Sequence, residues 1–502
     1  MSKLYKSIII RIIFLLFLIK QKEGAIYLPF KIISPDLSND YSNPSFLIDY
    51  WNYTQITSEL LIGNPPQKIS VLFLSDIYEL NLFENMCQIP TSFYYKEKSS
   101  SYNYIKNIKY TYNKILNCSI INESIYLSTD EKQTNKIIIE GFNIIYSDNK
   151  KEEYKSNNNI EYKYFPNTCL NIGFRPREGI SFGYDLNFVD QIKHYKKNGI
   201  SIIKNYDFTF KYTSEDKGYL IIGEKPHQFD SNNYHEEQFL LTGSKNRKFT
   251  SEWFLEFDNI YYTGIRMNDN SKYNLTFYSD STVKFDLNFG LIEGTINYEN
   301  NIKNIFFKYL IEKNICHSEE VNKEYRIYYC DKKSSINYIE KYFPVLKFCM
   351  KQLGFCFSFD YKDLFKEKDD KLYYLIYFNL NSYFSNRFTL GQILIKKYTL
   401  TFNYDTKMIG FYDKNIKIKT KNEQKNIGKG KKVELKVIII FIVCLIVFVL
   451  LGFLLGKKIY DKARKKKANE LIDDYEYESN DINSNTKKNI LNVEMNSKYG
   501  LI

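Results

Sequence analysis

Residues 437–456 read VIIIFIVCLIVFVLLGFLLG, twenty positions without a charge. Wound as a helix, such a run is long enough to cross the roughly 30 Å of bilayer hydrocarbon. The flank after it, KKIYDKARKKK (457–467), carries seven Lys or Arg in eleven residues and is more densely basic than KGKKVELK before it. The positive-inside rule then puts the tail, 457–502, in the cytosol. At the other end IIIRIIFLLFLI (8–19) follows Lys3 and Lys6 and precedes Gly24 and Ala25. A basic segment, an apolar segment and small residues are the layout of a signal peptide over 1–24. An uncleaved anchor is the alternative, disfavoured by Arg11 and the short apolar length. Together the two segments predict a type I membrane protein of the secretory pathway or cell surface, with residues 25–436 lumenal or extracellular.

That compartment permits disulfides. Cys87, Cys118, Cys169, Cys316, Cys330, Cys349 and Cys356 fall in the lumenal part, and Cys444 in the apolar run. Cys316 with Cys330, and Cys349 with Cys356, are the local pairings to expect, although connectivity does not follow from sequence alone. Sequons stand at Asn52, Asn117, Asn122 and Asn274.

The net charge is +12. A nucleic-acid binder concentrates such charge on a recognisable motif. The chain has no zinc-finger spacing, no RNA-recognition stretch and no basic helix, so no nucleic-acid partner is expected. The four His are scattered and suggest neither a triad nor a metal set, so no metal or cofactor is expected.

Between the apolar ends the pattern is β-rich. ITSELLIG (56–63) and KISVLFLS (68–75) alternate apolar and polar residues around a Pro-Pro turn, as half-buried strands do. YKYFPNTCLNIGF (162–174) reads as a strand, and NFVDQIKHYKKNGI (187–200) as a helix stopped by Gly199. YDFTFKYTSEDKGYLIIGE (206–224) reads as a hairpin, WFLEFDNIYYTGIRM (253–267) as a strand and turn, and NIKNIFFKYLIEKNI (301–315) as a helix. TLGQILIKKYTLTFNYDTKMIGFYD (389–413) reads as strand, turn, strand. The segments predict an all-β body of two lobes, 51–205 and 206–415, after an N-terminal segment at 25–50. A charged stalk at 416–436 then leads to the membrane helix.

Five pieces in order resemble the pepsin-like aspartic proteases, plasmepsins included, over roughly 50–415. IGNPPQKISVLF is similar to the strand pair before that family's first catalytic motif, and TCLNIGF to its D-G-I-L-G-L strand. YDFTFKYTSEDKGYLIIGE resembles the hairpin opening the second lobe. EWFLEFDNI resembles the strand before the second motif, and TLGQILIKKYTLTFNYDTKMIGF the closing signature. The resemblance implies two β-rich lobes around a cleft, with an Asp-Thr/Ser-Gly loop from each. Two carboxylates about 3 Å apart would share a proton, one acting as base on water and the other as acid on the scissile carbonyl.

The chain departs from that pattern where the chemistry sits. Aligned without gaps from Gly63, the first triplet falls on Leu74, Ser75 and Asp76. The bracing hydroxyl is kept and the carboxylate is replaced by hydrocarbon. A weak echo of VLFLSDIY in LTFYSDST puts the second triplet on Tyr278, Ser279 and Asp280. A shifted register, Asp280-Ser281-Thr282, stays open. Tyr110 and Tyr112 are the candidates for the family's flap tyrosine, and Gln392 replaces the Asp of the closing L-G-D. The expected function is a catalytically inactive receptor or scaffold that holds a protein or peptide ligand. The alternative is an atypical membrane-anchored endopeptidase using Asp76 and Asp280. Tyr499 and Ile502, in the terminal Tyr-Gly-Leu-Ile, resemble a sorting signal read by clathrin adaptors.

Overall fold

Alternation decides the architecture. Along Trp253–Ile265 the side chains of Trp253, Leu255 and Phe257 are buried while Phe254, Glu256 and Asp258 between them are not. A period of two buries one face of a sheet. The computed structural model describes residues 24–417, apart from 35–43, 53, 76–77, 84–93, 113, 148–169, 176–185, 244–251, 288, 322 and 381–386, together with Lys462. The chain divides into a unit at Met1–Ile418 and a unit at Lys419–Ile502. The predicted signal peptide, membrane helix and sorting signal (Tyr499, Ile502) lie outside the described residues. Among the described residues no helix is long and apolar enough to cross a membrane.

The first unit is β-rich, with two large sheets. One contains β1 (Ile26–Ile33), β2 (Gln55–Ile62), β3 (Gln67–Leu74), β4 (Leu80–Phe83) and β5 (Asn103–Tyr112). It continues with β6 (Lys114–Ser128), β7 (Lys136–Ser147), β8 (Leu170–Gly173), β9 (Asp207–Tyr212) and β10 (Lys217–Ile222). Strands Phe239–Gly243, Met408–Tyr412 and Thr401–Asn403 extend it beyond β9, and β5 closes the other edge. The second sheet is built on β11 (Trp253–Ile265), β12 (Lys272–Phe285), β13 (Ile292–Gly294), β14 (Ile376–Asn379) and β15 (Thr389–Leu390). Three helices matter below: α1 (Pro44–Asn52), α2 (Phe188–His194) and α3 (Gln392–Tyr398).

Two sequence expectations are corrected. The helix expected over 187–200 ends at His194, because Asn198 (φ 53°) and Gly199 (φ 82°) turn the chain into a short antiparallel pair, Lys196–Lys197 with Ile200–Ser201. ILIKKY, read as a strand, is α3. Its β-branched residues suggested strand, but Gln392, Leu394 and Ile395 bury one side of a helix instead. The segment expected to be helical at 301–315 is helical from Ile296 to Glu312, through a π-turn at Lys303–Phe307.

Both expected disulfides are formed, Cys316–Cys330 across Cys316–Val321 and Tyr325–Asp331, and Cys349–Cys356 across Val345–Met350 and Phe355–Phe359. Of the sequon asparagines, Asn52 is buried and Asn274, on β12, is exposed.

Candidate functional site

The two sheets repeat one pattern of strands. In the first, β3 runs parallel to β8, β8 antiparallel to β4, and β4 parallel to β7. In the second, β12 runs parallel to β15, β15 antiparallel to β13, and β13 parallel to β14. The registers also agree. Ile172 of β8 sits opposite both Phe73 and Leu80. Leu390 of β15 sits opposite both Phe285 and Ile292. Phe73 to Leu80 and Phe285 to Ile292 each span seven positions, and each central residue precedes a glycine, Gly173 and Gly391. The residue that follows Phe73 therefore corresponds to the one that follows Phe285: Leu74 corresponds to Asp286, and Ser75 to Leu287.

These two strand ends meet. Ser75 Oγ donates to Asp286 Oδ1 at 2.7 Å and accepts from the Leu287 N–H at 3.0 Å. Both Ser75 and Asp286 are buried. One hydroxyl thus ties the two repeats together, and Leu287, a hydrocarbon, offers no hydroxyl in return. Leu74 is buried beside Leu72. Asp76 lies outside the described residues.

The second triplet read from the sequence does not fall at a strand end. Tyr278, Ser279 and Asp280 lie inside β12, with Tyr278 opposite Ile260 and Ser279 opposite Asn259. The Tyr278 hydroxyl donates to Thr295 Oγ1 at 3.1 Å and its ring meets those of Phe277 and Phe388. The Ser-Asp echo misled because β12 runs on to Phe285, so the strand end falls later than the echo implied. The residue that register sets level with Leu74 is Asp286. Its signal was the string FDLNFGLI, in which an apolar strand ends on Asp and a glycine then an apolar pair follow.

Asp286 is paired with a cation. Lys284 Nζ stands 3.1 Å from Asp286 Oδ2 and 3.0 Å from Glu252 Oε1. Arg387 Nη2 reaches Glu252 Oε2 at 3.3 Å, and its guanidinium lies 4.0 Å from the Phe254 ring centroid. Charges therefore alternate along Asp286, Lys284, Glu252 and Arg387. Burial alone would lower the Lys284 pKa, but Asp286 and Glu252 outweigh it and hold the ammonium above its ordinary value. Burial alone would raise Glu252, but Lys284 and Arg387 outweigh it and hold the carboxyl below its ordinary value.

Neighbouring elements fix the two loops. Asn187 caps α2 by accepting from the Val189 and Asp190 N–H groups, and its Nδ2 donates to the Tyr78 carbonyl at 2.8 Å. Tyr78 in turn donates from its hydroxyl to Asp190 Oδ2 at 3.1 Å. On the other side Gln392 Nε2 donates to the carbonyls of Thr54 (2.9 Å) and Leu287 (3.1 Å). Gly391 is required by space, since a Cβ there would lie 2.2 Å from the carbonyl oxygens of Leu291 and Phe289. Tyr110 and Tyr112 belong to the β5–β6 hairpin, opposite Leu116 and Lys114.

Among the described residues of the two strand ends the one carboxylate is Asp286, paired with a lysine and bonded to a hydroxyl. The position corresponding to it in the other repeat carries an isobutyl group, which neither takes nor gives a proton. Among the described residues no cluster of His, Cys, Asp or Glu is arranged to hold a metal ion. The chain matches no protein-family model, and comparison with curated proteins finds no match.

Proposed function

We propose that the chain is a type I membrane protein whose lumenal or extracellular body has a bilobal, pepsin-like fold without peptidase activity. It serves as a receptor or scaffold for a protein or peptide ligand. The observation that carries this reading is the register correspondence of Leu74 with Asp286. Aspartic peptidase chemistry needs a proton shared between two carboxylates, and here the position that corresponds to Asp286 in the other repeat carries hydrocarbon. The ion pair with Lys284 supports the reading further, because it fills the role of counter-charge that a proton would have.

The repeated strand pattern, and a serine that braces the loop of the other repeat, favour descent from a two-lobed enzyme. An endopeptidase using Asp76 and Asp280 has less support, since Asp280 lies within β12, six positions before Asp286. The purified full-length chain is expected to cleave none of a mixed peptide pool between pH 3 and pH 7. Cleavage that pepstatin blocks and Asp286→Asn abolishes would overturn the proposal.

A further inference from the structure

A second site is suggested by a groove of about 760 Å³ between α1 and α3. That volume is in the range of small-molecule pockets. Its apolar lining includes Ile32, Leu291, Leu375 and Ile393, and Tyr50 and Trp51 add aromatic surface. The aromatic wall is built in advance. Trp51 packs edge-on to Tyr373 at 5.3 Å, and its carbonyl accepts from Thr54 Oγ1 at 2.9 Å. Gly290 lets the bend before β13 come close, since a Cβ there would lie 1.9 Å from that same carbonyl oxygen.

The charges around the groove are unevenly matched. Lys397 is paired with Asp363, and Lys366 lies 3.8 Å from Glu215 and 5.1 Å from the Trp51 ring centroid. Asp216 accepts from Ser214 Oγ at 2.8 Å. Among the described residues Lys362 and Lys396 are each in salt-bridge range of no carboxylate; Lys362 Nζ lies 5.8 Å from the Tyr361 ring centroid and Lys396 Nζ 5.6 Å from that of Tyr212. Lys396 is exposed overall, yet desolvation, with Lys366 adding to it, holds the ammonium below the usual lysine value, and Glu215 and Asp216 do not make up the difference. An aromatic wall beside lysines that no carboxylate pairs suits a ligand with a flat apolar body and one negative charge. The carboxylates of Glu215, Asp216 and Asp363 disfavour a polyanion.

We propose that this groove binds a small aryl monocarboxylate, its ring against Ile32, Tyr50 and Ile393 and its carboxylate at Lys396. The test is calorimetry on the full-length chain with 1-naphthoate, the neutral 1-naphthalenemethanol and the cationic 1-naphthylmethylamine. Naphthoate is expected to bind best and the amine not at all. Lys396→Met, which keeps the apolar stem, is expected to weaken naphthoate about tenfold, whereas Lys308→Met, outside the groove lining, leaves it unchanged. A thermal melt of each variant confirms folding. Failure of naphthoate to bind, equal binding of the three probes, or unchanged affinity in a folded Lys396→Met variant would overturn the proposal. None of these outcomes bears on peptidase activity.

Discussion

Ser75 and Asp286 are 211 positions apart in the chain and joined by a 2.7 Å hydrogen bond between buried side chains. The same serine accepts from the Leu287 N–H. Ser75→Ala leaves a buried carboxylate oxygen and a buried N–H each short of a partner. We expect a loss of about 2–4 kcal/mol, on the usual cost of unsatisfied buried groups. Ser75→Thr keeps the hydroxyl and is expected to lose much less. Urea unfolding of the two variants measures the difference.

Lys284 holds together two carboxylates, Asp286 and Glu252. Lys284→Met strands the buried Asp286 charge and is expected to cost about 3–5 kcal/mol. Adding Asp286→Asn removes the stranded charge and is expected to recover at least half of that loss. Additive losses in the double variant would show that the two residues are not coupled.

The same ion pairs set a pH window. Glu252 is held below its ordinary value, so its contribution is present above the unfolded carboxylate pKa of about 4.3 and fades as pH falls through the folded value. Lys284 is held above its ordinary value, so its contribution is complete below about pH 10.4 and fades as pH rises through the folded value. The difference in melting temperature between wild type and Lys284→Met is therefore expected to be widest between roughly pH 5 and pH 10 and to shrink on both sides. A difference that stays constant from pH 3 to pH 11 would contradict this assignment.

If the fold is that of an aspartic peptidase, Leu74→Asp by itself does not restore activity. Lys284 still neutralises Asp286, and the pair has no proton to share. Leu74→Asp with Lys284→Ile is expected to cleave peptides at acid pH, with pepstatin as the check. Activity in the single variant would show that Lys284 is not the obstacle.

The Cys316–Cys330 bridge closes the longer of the two loops, with a sequence separation of 14 against 7. Chain-entropy arguments give about 3 kcal/mol for the first and about 2.5 for the second. Replacing Cys316 and Cys330 by Ser is expected to lower the urea midpoint slightly more than replacing Cys349 and Cys356.

Local patterns carried much of the fold. The alternation read in ITSELLIG and KISVLFLS placed β2 and β3 to within a residue at each end, since a period of two is written in the residues themselves. The close spacing of the cysteines in each pair anticipated both bridges. ILIKKY was misread because propensity for strand or helix yields to which side chains find a core. Leu74 and Ser75 were legible from IGNPPQ, a short and gapless distance upstream.

Asp286 was not legible in that way. The end of β12 depends on how far its hairpin with β11 extends and on where β15 docks beside it, and neither is a property of the nearby sequence. So the chain alone placed Leu74 and Ser75 at the end of a strand. Only the tertiary structure decided that Asp286 corresponds in register to Leu74, that Ser75 holds it, and that Lys284 cancels its charge. These are contacts between residues whose separation in sequence carries no information about their separation in space.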